Sequence, residues 1–266
     1  MLKTEMRNEA SMHIDKMDTL SMLRLINGEN MEVIRAVDAA LPQIAKACDA
    51  VARCFENGGR LFYIGAGTSG RLGVIDAAEC PPTFGVPRDQ VIGIIAGGEK
   101  CMVRAAEAEE DDAAAGENDL RRYGLCEKDA VVGISASGGA SYVVGALAYA
   151  NRMGALSISI ASNFDTPIEH EAKLAIVADT GAEVITGSTR MKSGTAQKLI
   201  LNMISTCAMV KTGKVYENMM INLKPSNRKL RARMVGIVCE IKGCDREAAE
   251  ALLEMHHWNI REAVEE

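Results

Sequence analysis

Three short stretches of this 266-residue chain combine glycine with hydroxyl side chains in the way an anionic ligand requires. Residues 65–71 read GAGTSGR, between the apolar run 61–64 and a helical pattern that follows. Gly67 lets a backbone N–H approach an anion closely, Thr68 and Ser69 add hydroxyl donors, and a helix starting there offers its positive end. Gly65, Gly67 and Gly70 also spell GxGxxG, but the next apolar run, 91–98, ends without the acidic residue that a dinucleotide ribose needs. A phosphate fits better, with an unliganded tight turn as the plain alternative. Residues 135–141, SASGGAS, offer Ser135, Ser137 and the Gly138 amide to a group with three acceptor oxygens, or else simply cap a helix. In 186–198, TGSTRMKSGTAQK, Ser188 or Thr189 can cap a long helix, while Arg190 and Lys192 set two cations at the helix end that disfavours them. Two such charges point to an anion between them, unless they face water as charge runs usually do.

The elements that must position these stretches follow from hydrophobic pattern. Five short runs, LFYIG, VIGIIA, AVVGIS, LSISIA and LAIVA, lack strict alternation and are separated by helical stretches. That pattern predicts an α/β fold, a doubly wound parallel five-stranded sheet covered on both faces. Gly or Ser closes several runs, which puts small residues at the carboxyl ends of the strands, where open α/β sheets bind ligands. Ahead of the sheet, 9–26 and 31–56 read as helices, the second with Val33, Val37, Leu41, Ile44, Cys48 and Val51 at helical spacing and Pro42 bending or dividing it. Beyond the sheet, helical patterns cover about 190–211, 217–222 and 226–241, and two short ones cover 245–254 and 259–265. The division expected is an N-terminal helical arm, 1–57, a core that carries the three loops together with its helices, 58–242, and a small helical tail, 243–266.

Composition excludes several partners. With 30 basic against 36 acidic side chains the net charge is −6, so no overall field draws nucleic acid or an anionic membrane, and an anionic substrate needs a local cradle. Eight scattered cysteines form no CxxC pair, which predicts reduced thiols and no metal. The polar first eighteen residues carry no leader-like apolar core, and no run is long and apolar enough for a membrane span, so the expected location is cytoplasmic.

Taken together, YIGAGTSGRLGVIDAAECPP (63–82), AAEAEEDD (105–112) and GAEVITGSTRMKSGTAQKLILNM (181–203) resemble the N-acetylmuramic acid 6-phosphate etherase family, with likeness from about residue 4 to 243. The resemblance implies a sugar isomerase (SIS) fold and a homodimer whose site draws on both subunits. The implied substrate is a phosphorylated amino sugar whose D-lactyl ether is cleaved during cell-wall recycling, giving N-acetylglucosamine 6-phosphate and D-lactate. Neither a metal nor an organic cofactor is implied. The family's catalytic acid falls on Glu79 and its second catalytic glutamate, taken as the base, on Glu110. In the open-chain sugar the C1 carbonyl acidifies the C2 hydrogen, so a base removes it while an acid protonates the departing C3 ether oxygen, and water then adds to the unsaturated aldehyde. Glu79 suits an acid if Pro81 and Pro82 end its helix, since the helix dipole and burial against the preceding apolar residues then raise its pKa. The same residue also reads as an ordinary exposed glutamate at a helix end.

Two departures from the family stand out. Where it has Ser-Gly-Arg-Thr-Pro, this chain has Ser137, Gly138, Gly139, Ala140 and Ser141, without the guanidinium. The tail after Gly243 resembles a single ubiquitin-associated unit, which Trp258 is expected to pack. A non-catalytic phosphosugar sensor resembling the glucokinase regulatory protein, and an aldose-ketose isomerase, are the alternatives to an etherase.

Overall fold

A computed structural model describes residues 1–104, 107–225 and 227–265. Three 3-10 turns, Lys3–Glu5, Glu9–Ser11 and Ile14–Lys16, lead into α1 (Thr19–Glu56), which starts on the Asp18 carboxylate as it accepts from the amides of Leu20 and Ser21. Of the two helices expected over 9–26 and 31–56, residues 9–18 are 3-10 turns and connecting chain, while the remainder joins into one helix of 38 residues, with Pro42 inside it and not dividing it. A proline in a helix costs about 3 kcal/mol. Val33, Val37, Ile44, Cys48 and Val51, all buried along α7, offset that cost, whereas Leu41 of the expected stripe is exposed.

Then follow β1 (Leu61–Gly65), α2 (Gly67–Phe84), β2 (Val91–Ile95), α3 (Lys100–Val103) and a 3-10 turn at Glu107–Asp111. The acidic stretch of the family resemblance, 105–112, is thus a 3-10 turn over Glu107–Asp111, residues 105 and 106 lying outside the described chain. Next come α4 (Ala113–Arg122), β3 (Ala130–Ile134), α5 (Ser141–Arg152), β4 (Leu156–Ala161), α6 (Pro167–Glu171), β5 (Leu174–Val177) and α7 (Lys192–Lys211). The five strands form one parallel sheet in the order β2-β1-β3-β4-β5.

Side-chain alternation along a strand explains the two layers. On β1, Leu61 and Tyr63 pack with α1, α2 and α7, while Phe62 and Ile64 pack with α4 and α5. Helices α2 and α5 therefore leave the sheet on opposite faces. Because β1 lies between β2 and β3, its carboxyl end and that of β3 flank the crevice where strand order reverses. Gly65 and Ile134 pair there, as the last residues of their strands.

A third apolar cluster joins Ile221, Leu223, α8 (Arg228–Lys242), α9 (Arg246–Met255) and α10 (Ile260–Glu265). The helix expected over 217–222 is irregular chain with a Tyr216–Met219 bridge, and Ser226, expected to open the next helix, lies outside the described residues. Since Met234, Val235 and Val238 pack with α9 and α10, the boundary expected at 242 cuts through this unit. Trp258 packs on it, with the Arg231 guanidinium 5.0 Å from its ring centre. Among the described residues no helix is long and apolar enough to cross a membrane.

Candidate functional site

The first glycine loop is shaped by crowding. A Cβ on Gly70 would lie 2.4 Å from the Gly65 carbonyl oxygen, so only glycine lets α2 start this close to β1. The helix opens at Ala66, which supplies no capping side chain, so its first amides are open to water or a ligand. Gly67 is exposed and Thr68 half-buried at this opening. Ser69 is placed differently from expectation: it is buried, and its hydroxyl donates to Gln197 Oε1 of α7 at 3.0 Å. Its proton is spent inside the chain.

The second loop lies across the crevice. Ser135 Oγ accepts from the Gly138 amide at 3.1 Å and Ser137 Oγ from the Gly139 amide at 3.2 Å, while Gly138 takes φ +80° over Thr166. A Cβ there would sit 2.4 Å from Thr166 Cβ. As at α2, the N-terminus of α5 has no side-chain cap, with Ala140 in the capping position.

The third stretch is where expectation and structure part most clearly. Neither Ser188 nor Thr189 caps α7. Glu183, fully buried, accepts from the amides of Lys192 at 3.0 Å and Ser193 at 2.9 Å, so the anion at this helix end is the protein's own. Lys192, expected to meet the ligand, is 3% exposed, and its Nζ donates to Glu29 of α1 at 2.6 Å. Hydrogen bonds from Lys192 and Asn8 hold the Glu29 carboxyl below the usual range, outweighing the burial that opposes them. Arg190, by contrast, is exposed, and Ser188 and Thr189 are half-buried. Gly194, at the start of α7, lies against both Thr68 Cγ2 and the Thr189 carbonyl, which joins the first and third loops.

The two glutamates lie on different elements, Glu79 on α2 and Glu110 on the turn Glu107–Asp111. Helix α2 runs through Pro81 and Pro82 to Phe84, where Gly85 caps it, so the prolines do not end it as expected. Glu79 lies twelve residues past Gly67, about 18 Å along the helix and away from the rim. It is exposed, and the burial expected against the apolar face of α2 does not occur. Glu110 is exposed too, but on the 3-10 turn that comes after α3 in the connection leaving β2. Its neighbour Glu109 packs against Gly97 at that rim and faces Lys100 at 3.6 Å.

Sequence reasoning misses Glu183, Gln197, Asn163 and Thr4. Glu183 precedes its helix by nine residues, outside any local capping pattern, and the other three act through contacts distant in sequence.

A parallel sheet in the order β2-β1-β3-β4-β5 with helices on both faces is the architecture of an SIS-type α/β domain. The SIS domain model matches residues 121–206, that of the glucokinase regulatory protein N-terminal SIS domain 43–151, and a UBA-like domain 238–266. Among solved structures, an Escherichia coli CFT073 protein superposes with TM-score 0.54 at 16% identity, over 75% of this chain and 95% of its own. A Francisella tularensis phosphoheptose isomerase gives 0.53 at 18%, over 72% and 98%. These likenesses concern the fold. The N-acetylmuramic acid 6-phosphate etherase of Aeromonas hydrophila is 53% identical over 98% of this chain and 88% of its own, and that of Pasteurella multocida 51% over 99% and 87%. The chain belongs to the N-acetylmuramic acid 6-phosphate etherase family.

Proposed function

We propose that this protein is a cytoplasmic carbon-oxygen lyase that cleaves the D-lactyl ether of N-acetylmuramic acid 6-phosphate, and that it acts as a homodimer. The observation that carries the substrate class is the pair of uncapped helix starts, at Gly67 and Ser141, on either side of the β1/β3 crevice. A phosphate ester seated there receives amides from both helices and hydroxyls from Thr68, Ser135 and Ser137. Gly138 admits the close approach of the second loop, and Ser188, Thr189 and Arg190 form the neighbouring wall. Ser69 and Lys192 support that wall from inside.

Glu110, near the rim, removes the C2 proton, and an acid protonates the C3 ether oxygen as D-lactate leaves. Water then adds at C3 of the unsaturated aldehyde to give N-acetylglucosamine 6-phosphate. Overall one water is consumed, so atoms balance. Glu79 is the acid, and its distance from its own rim means that it serves the site of a second subunit. Two features support this assembly. Ile75, one turn before Glu79, is 55% exposed, and α1 carries an exposed apolar row of Leu20, Leu23, Met31, Ile34 and Leu41 in the same helical layer. Such a row on a stable helix calls for a partner surface.

The test is release of D-lactate from the 6-phosphorylated muramyl sugar, with Glu79→Ala and Glu110→Ala alone and mixed. Each variant alone is expected to be inactive, by about 10²- to 10⁴-fold. Mixed and re-formed dimers regain activity, because one of their two sites holds both glutamates. A phosphosugar bound without lactate release by the unmodified protein indicates the sensor reading instead.

A further inference from the structure

We infer that the segment 3–11 is a working part of the phosphosugar site, with Thr4 and Asn163 as positioning residues that fix the 135–141 loop. Three successive carbonyls of that loop are turned towards residues 162–168. Ala136 O accepts from the Ser162 amide at 3.0 Å and Asn163 Nδ2 at 3.1 Å, Ser137 O from Asn163 Nδ2 at 3.4 Å, and Gly138 O from the Ile168 amide at 3.1 Å. Their lone pairs, which would repel a phosphate, are thereby directed away from the crevice.

Asn163 stands at the centre of this clamp. It is 4% exposed, and its side chain joins Thr4: Nδ2 donates to Thr4 Oγ1 at 3.1 Å, and Oδ1 accepts from the Thr4 amide at 3.4 Å. Thr4 is fully buried although it belongs only to a three-residue 3-10 turn. The segment is held on both sides, by Lys3 pairing with Asp179, by Asn8 Nδ2 donating to Ala182 O at 3.2 Å, and by Ser11 Oγ donating to Val184 O at 2.7 Å. Glu5 reaches the third loop, since a Cβ on Gly187 would lie 3.3 Å from its carboxylate. The segment is thus a strap across two of the three loops assigned to the substrate. Without the Thr4 hydroxyl, the Asn163 amide loses one of its partners and its hold on the two carbonyls loosens.

The inference rests on the anion-site reading of the 135–141 loop, and its test separates the two by using inorganic phosphate as well as the muramyl sugar phosphate. Thr4→Val keeps shape and removes the hydroxyl, and Thr4→Ser restores it. With Thr4→Val, the Kd for inorganic phosphate by calorimetry and the KM for the sugar phosphate are both expected to rise about tenfold, with kcat changed less than about threefold and Thr4→Ser close to the unmodified protein. Folded Thr4→Val protein with unchanged phosphate Kd overturns the role of the strap. Unmodified protein that binds no phosphate overturns it together with the anion site. Unmodified protein that binds phosphate but releases no lactate removes only the etherase chemistry, and the phosphate arm still decides the strap.

Discussion

Helices α2 and α5 begin in the open, whereas α7 begins on a buried carboxylate. All three start at the same rim, so the residues around them give little reason to expect the difference. Ala66 and Ala140 stand where a capping side chain would go and supply none, while Glu183 bonds two amides of α7 from a position the solvent does not reach. The contrast separates binding from support. An uncapped helix start gives up about 1 kcal/mol of stability and keeps its amides for a ligand. A capped one is structural, however many cations surround it.

Filling an open start should have the largest effect. Ala66→Asp places a carboxylate where the phosphate is expected, so KM should rise at least about 100-fold, about 2.7 kcal/mol, while thermal stability holds or improves. A variant with unchanged KM would show that the α2 start does not bind the phosphate. Next is Gly138→Ala, which forces an L side chain to φ +80° against Thr166 and should weaken phosphate binding by roughly 1–3 kcal/mol, read by calorimetry. Opening the closed start should do the reverse. Glu183→Ala should lower the urea-unfolding free energy by about 2–3 kcal/mol through lost charge-assisted bonds, with little change in KM for protein that remains folded.

A pH effect follows from the same network. Because the Glu29 carboxyl is held below its ordinary value of 4.5 by Lys192 and Asn8, against the opposing burial, the unfolded chain takes up its proton first as pH falls. Its contribution to stability is present above pH 4.5 and is lost as pH drops through the lower folded value. Glu29→Gln should therefore flatten the acid limb of a stability-versus-pH curve. The smallest effect expected is that of Ser69→Ala on KM, within about threefold, since that hydroxyl already donates to Gln197.

Much of the fold is legible because all five residues of β1 and of β3 are buried, and strands covered on both faces read as unbroken apolar runs. Loop positions follow from the glycines that close those runs. What escapes sequence reasoning depends on partners distant along the chain. Lys192 reads as a ligand cation because nothing near it shows that Glu29, 163 residues away, reaches it. Pro42, Pro81 and Pro82 read as helix ends or breaks because local rules count the missing N–H groups and not the packing that compensates them. Glu79 is identified by resemblance, and its distance from the rim is a matter of helix length that no motif states.

The strap sets an order of events during folding. Thr4 is synthesised well before its partner Asn163, which lies 159 residues downstream, beyond β4. The loop at 135–141, proposed above to hold the phosphate, therefore cannot take its final form until synthesis has passed that strand, and closing so long a contact is slow compared with local helix formation. In a newborn molecule the strap is thus among the last contacts that can close.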